Sequence, residues 1–139
     1  MKENNVYYMQ KAYRRSMISY LNSDVPIGCI ITDKKNVVYE TNNVEKKYNG
    51  GKHAEILCVD KLSFDVDYKK MSLYTTLIPC PMCSGYIYMK GIGKIYIGTI
   101  NNNSIYNENF KLLLENRYQG TYLKNKCSYL LSSFFKKMR

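Results

Sequence analysis

Two short segments, His53-Ala54-Glu55 and Pro79-Cys80-Pro81-Met82-Cys83, constrain this chain more than any other feature, because they make chemical sense only if the fold brings them together. They offer one imidazole and two thiolates, a donor set suited to zinc. A zinc ion held by three side chains keeps its fourth tetrahedral position for water, and water held there ionises near neutral pH. Glu55 is not needed as a ligand. A carboxylate two residues after the histidine is placed to move the proton that such a water gives up, which makes Glu55 the candidate general acid and base. The spacing by itself supports one zinc per chain and an activated water, and it leaves the substrate open.

Both segments fall where a helix is expected to begin. Pro81 suits a first helical turn, where its missing donor costs nothing, and the positive end of the helix dipole favours the thiolates of Cys80 and Cys83. His53 opens another helix. Residues two apart in a continuous helix point to nearly opposite sides, so His53 and Glu55 can serve one site only at the helix mouth.

Around these points the chain alternates. Val6, Met9, Tyr13, Met17, Tyr20 and Leu21 recur at helical spacing, and this helix stops at Asn22-Ser23-Asp24. Ile27 to Thr32 and Val37 to Thr41 are β-rich runs joined by Asp33-Lys34-Lys35-Asn36, the pattern of a hairpin. A loop hinged at Gly50-Gly51 follows. Ala54 to Leu62 reads as helix, Ser72 to Leu77 as strand, Pro81 to Lys90 as helix and Lys94 to Thr99 as strand. Helices between strands imply right-handed crossovers, hence an α/β fold with a mixed sheet covered by helices on both faces. At 139 residues with 45% hydrophobic content, residues 1–139 are expected to form a single domain.

No stretch of about 18 apolar residues could span a bilayer. The opening Met1-Lys2-Glu3-Asn4-Asn5 lacks the apolar core of a signal peptide, so a cytoplasmic protein with no membrane partner is expected. Five cysteines, two of them in C-x-x-C, fit a reduced compartment better than a disulfide framework. Cys29, Cys58 and Cys127 lie in apolar patterns and read as core, the alternative being that one of them closes the metal as a fourth ligand. The formal charge of +10 suits an anionic partner such as RNA, although scattered lysines are as often a solvated surface. The doublets Arg14-Arg15, Lys34-Lys35, Lys46-Lys47, Lys69-Lys70 and Lys136-Lys137 favour the first reading.

The H-x-E and P-C-x-x-C pair resembles the zinc nucleobase deaminases. Within them the chain is similar to the bacterial tRNA-specific adenosine deaminases. Asp24-Val25-Pro26-Ile27-Gly28 looks like that family's first-strand motif, Asn42 stands at its distance before the zinc histidine, and Pro79 to Gly85 and Gly93 to Gly98 fall at the expected places. Lys126 to Arg139 is similar to its C-terminal helix. The resemblance implies a three-layer α/β/α, cytidine-deaminase-like fold with a central mixed sheet of about five strands. It implies zinc on His53, Cys80 and Cys83 with Glu55 catalytic, and conversion of the wobble adenosine of a tRNA anticodon stem-loop to inosine. It further implies base contact by Asn42, packing of Ile27 on the base, cavity backbone around Ala54 and Ser84, and a homodimer. The family carries Glu before Pro-Cys and Asp after the Gly98 strand, where this chain has Ile78 and Asn101. The stretch from Asn101 to Gly120 is the poorest match. A deaminase of a free base, nucleoside or nucleotide is the alternative.

Overall fold

The strongest strand formers, Cys29-Ile30-Ile31, Leu73-Tyr74-Thr75 and Ile95-Tyr96-Ile97, become the middle of a sheet because each run must bury side chains on both faces. The structure, a computed structural model, describes residues 2–33, 36–44 and 52–138. In chain order these form α1 (Lys2–Leu21), β1 (Gly28–Thr32), β2 (Val37–Asn42), α2 (Ala54–Asp60), a 3₁₀ turn at Tyr68–Lys70 and β3 (Ser72–Leu77). There follow α3 (Pro81–Lys90), β4 (Lys94–Thr99), α4 (Ser104–Leu114), a 3₁₀ turn at Glu115–Arg117, β5 (Tyr118–Thr121) and α5 (Lys124–Lys137). The hinge expected at Gly50-Gly51 lies outside the described residues, as do Lys34-Lys35 and Lys46-Lys47.

The strands lie in the order β2-β1-β3-β4-β5. The β1 strand runs antiparallel to β2 and β3, whereas β3–β4 and β4–β5 are parallel, so the sheet is mixed as expected. Side chains alternate between the faces. Cys29, Ile31, Leu73, Ile95 and Ile97 join Val59, Ile87 and Leu114 in the core beneath α2, α3 and α4. Ile30, Tyr74 and Tyr96 meet Met9 and Ala12 beneath α1. Together with α5, which packs on β4, α1 completes the third layer.

That second layer sits close because its strands are bare where the helices cross. A Cβ on Gly28 would overlap the Ala12 carbonyl of α1, and one on Gly98 would lie 2.7 Å from Cys127 Sγ of α5. Tyr74 and Tyr96 stack with centroids 4.3 Å apart and planes 4° from parallel. The Tyr74 hydroxyl donates to Asn5 Oδ1 at 2.6 Å, and Asn5 Nδ2 donates to the Tyr122 hydroxyl at 3.2 Å, tying α1 to the segment between β5 and α5.

Candidate metal centre and cavity

The parallel pair β3–β4 ends where the two ligand segments begin. Beyond β3 the ladder continues by one bond, Ile78 N–H to Thr99 O at 2.8 Å, which fixes the backbone just before Pro79-Cys80. Cys80 is the extended N-cap of α3, with Pro81 in the first turn, and its sulfur accepts from Cys83 N–H at 3.5 Å. Ser84, fully buried, donates its hydroxyl to Pro79 O at 3.2 Å and braces the same turn. On the facing helix His53 is the extended N-cap of α2 and Glu55 lies in its first turn. Thr41 donates its hydroxyl to Ala54 O at 2.6 Å, locking that helix start to β2.

His53, Cys80 and Cys83 converge so that their ligand atoms all lie within 4.8 Å of one another. His53 Nδ1 is 3.3 Å from Cys83 Sγ and 3.4 Å from Cys80 Sγ. Tetrahedral zinc with its usual bond lengths separates nitrogen and sulfur ligands by about 3.5 Å, so this set fits the ion. Among the described residues no fourth side chain joins the group. Cys29, Cys58 and Cys127 are buried elsewhere. The Cys80 thiol is pulled down to about 4, first by the hydrogen bond from the Cys83 thiol and then by His53 and the Cys83 N–H, against the opposing effect of burial. A ready thiolate is the form a metal requires.

Glu55 is 3% exposed, and its Oε1 is buried without a hydrogen-bond partner. Burial raises its carboxyl to about 7, helped by the nearby Cys80 sulfur. A carboxyl poised near neutrality beside the ligand set can both take and return a proton.

These groups open into a cavity of about 720 Å³. Of the residues expected to meet substrate, Ile27 lies on its wall with His53, Glu55 and Cys80. Asn42 does not. It is the last residue of β2, paired with Gly28 on the side facing α1, and its amide donates to Ser19 Oγ at 3.1 Å. Its neighbour Asn43 takes the cavity wall, because strand alternation turns successive side chains to opposite faces. Asn43 N–H donates to Ile27 O at 3.0 Å, and Asn43 Oδ1 accepts from Ala54 N–H at 2.8 Å. Ala54 and Ser84 are likewise set back from the cavity, where they hold Asn43 and the Cys80 turn in place.

The rest of the wall comes from segments to which the sequence assigned no site residue. The β4–α4 connection brings Ile100, Asn101 and Asn102, while α5 contributes Ser128, Leu131, Ser132, Phe135 and Lys136. Ile78 and Asn101 both face the cavity. Asn101 Oδ1 accepts from Asn103 N–H at 2.7 Å, a turn that Asp would make equally well, so Asn here keeps the loop and removes a negative charge.

The model of the cytidine and deoxycytidylate deaminase zinc-binding region matches residues 2–99. Among curated proteins, the tRNA-specific adenosine deaminase of Rickettsia bellii is 27% identical over 94% of this chain and 99% of its own. The cytosine deaminase of Candida albicans is 32% identical over 92% of this chain and 87% of its own. A solved structure from work on A-to-I editing by tRNA:A34 deaminases at the wobble position superposes with a TM-score of 0.63 and is 26% identical, covering 68% of this chain and 76% of that one.

Proposed function

Since this chain belongs to the cytidine and deoxycytidylate deaminase zinc-binding family, we propose that it hydrolyses the wobble adenosine of a tRNA anticodon loop to inosine. The observation that carries the reading is a likeness to tRNA-specific adenosine deaminases that runs nearly end to end and takes in α5. That helix lines the cavity with Ser128, Leu131, Ser132, Phe135 and Lys136.

His53, Cys80 and Cys83 would hold zinc, which when bound supplies a Lewis acid that brings the ionisation of water to near neutral pH. Glu55 takes the proton of the attacking water and delivers protons to the purine ring nitrogen and to the departing amine, so that ammonia leaves. Its raised carboxyl suits both directions of transfer. With Asn43 Oδ1 occupied by Ala54 N–H, the end of that amide left for the base is the Nδ2 donor. Ile27 packs on the face of the base. An anticodon loop presents bases already partly unstacked, which lowers the cost of drawing one into the cavity.

The same reading takes residues 1–139 as one deaminase domain in the cytoplasm, acting as a homodimer. One sheet with a core on each face supports the first. Exposed apolar side chains on the adjoining helices α3 and α4, among them Met89 at 79% and Leu112 at 80%, support the last. No described helix is long and apolar enough to cross a membrane.

A second reading, deamination of free cytosine, is favoured by the fungal relative and by the apolar Ile78 in the wall. Zinc-loaded protein offered an anticodon stem-loop with adenosine at the wobble position, in parallel with adenosine, cytidine and cytosine, separates the two. Inosine in the RNA with the small molecules untouched is expected; turnover of cytosine alone moves the protein to the second reading.

A further inference from the structure

The layer formed by α1 and α5 carries a charge that the other layer does not share. These two helices hold eight cations and a single acid, Glu3. Helices α2, α3 and α4 together hold two cations, Lys90 and Lys111, against Glu55, Asp60 and Glu108. Of the net charge of +10, these two helices carry +7.

Within that face the described cations of α1 and α5 have no carboxylate within the 4.0 Å of an ion pair. Aromatic rings hold three of them in place instead: Lys11 lies 5.4 Å from the ring centre of Tyr7 within α1, and two more reach across between the helices. Lys126 of α5 lies 5.4 Å from the ring centre of Tyr13, and Lys137 lies 5.1 Å from that of Tyr20, both rings belonging to α1. The seam between the helices thus pairs ammonium groups with rings at two points, and Tyr129 of α5 is 74% exposed. Basic groups interleaved with aromatics are the composition of surfaces that follow a nucleic acid strand.

The seam and the cavity flank the same helix, joined across its exposed side, since Lys137 of the seam and Lys136 of the cavity wall are one residue and about 100° apart. From Lys126 to Lys137 the helix advances about 16 Å, a length over which a nucleic acid presents several phosphates. We infer that the outward seam between α1 and α5 is the docking strip for the RNA backbone that continues from the nucleotide in the cavity, with Lys126 and Lys137 as phosphate contacts. The inference rests on the RNA reading above and adds to it a surface and a direction of approach.

Fluorescence anisotropy of a labelled anticodon stem-loop RNA over a series of salt concentrations tests it. Four proteins are compared: wild type, Lys126→Ala with Lys137→Ala, the same pair changed to Arg, and Lys69→Ala with Lys70→Ala as an equal charge change on the 3₁₀ turn before β3. The first pair is expected to weaken binding about tenfold near 0.1 M salt and to lower the slope of log Kd against log salt by about 1 per lysine. The Arg pair is expected to restore both, and the Lys69/Lys70 pair to stay within about twofold of wild type. Wild-type binding in the alanine pair, or an equal loss in the Lys69/Lys70 pair, overturns the strip. So does binding to phosphatidylserine vesicles as tight as to RNA and lost in the same pair, which would reassign the face to lipid. Tight binding through this seam without inosine formation would overturn the wobble reading and leave the strip; inosine formation with normal binding by the alanine pair would do the reverse.

Discussion

At the scale of single residues, Glu55 and Asn43 carry the sharpest consequences. Glu55→Gln is expected to lower turnover by about 10²–10⁴ while zinc content, read by metal analysis, stays at one per chain. Its effect on stability has a defined sign. In the folded metal-free protein the carboxyl binds its proton up to about pH 7 and in the unfolded chain only up to its ordinary value of 4.5, so stability falls as pH rises between them. Thermal melts of metal-free Glu55→Gln should therefore show about 1–3 kcal/mol more stability than metal-free wild type at pH 8 and little difference at pH 4. A wild-type protein that gained stability over that range would contradict the buried carboxyl. Asn43→Ala is expected to cost about 10²-fold or more in kcat/KM, since it removes the polar donor left for the base and an acceptor for Ala54 N–H. Asn42→Ala should cost little beyond stability, because its amide serves Ser19. Equal losses in the two variants would return the base contact to Asn42. Distance along the chain could not tell these neighbours apart. The alternation of β2 does, once Asn42 is seen opposite Gly28 beneath α1.

At the scale of elements, two glycines, one in the sheet and one in a helix, have opposite character. Gly28 meets α1 so closely that Gly28→Ala would force the Ala12 carbonyl aside, and a loss of about 2–4 kcal/mol is expected in denaturant unfolding. Gly85 in α3 has open space where a Cβ would go, so Gly85→Ala is expected to stabilise by about 0.5–1 kcal/mol. If both variants destabilised alike, the packing of α1 on β1 would not be the cause. Most elements could be read from their apolar patterns, although α1 buries Met9, Ala12, Ser16 and Ser19 and leaves Val6, Met17 and Leu21 of its expected stripe exposed. The segment 101–120 resisted. Its helix α4 is marked by the Asn103 cap and by Tyr106, Phe110, Leu113 and Leu114 at helical spacing, which contact the core. Its strand β5 is four residues long and largely exposed at the sheet edge, so it offers little alternation to read. The cavity wall in α5 was hidden for another reason. Ser128, Ser132 and Lys136 belong to a polar helix face, and only the packing of α5 beside β4 turns that face toward His53 and Glu55.

For the molecule as a whole, the two layers are specialised. The cationic pair α1 and α5 is set against a near-neutral layer whose helices α3 and α4 leave Met82, Met89 and Leu112 uncovered. Met89→Glu with Leu112→Glu is expected to convert a dimer to monomer in sedimentation while the far-ultraviolet circular dichroism is unchanged. A wild-type protein already monomeric at micromolar concentration would remove α3 and α4 from that role. The shared layer of α1 and α5 also imposes an order in time. Asn5 bonds to Tyr122 across 117 positions of chain, and Gly98 receives Cys127 from α5, made after every other described element. As the ribosome extends the chain, α1 emerges with its sheet-facing side chains uncovered and remains so while the sheet is translated. The part of the cavity wall that α5 supplies is thus synthesised after the other described elements, and a nascent chain stalled before α5 would carry its ligands in a more open groove.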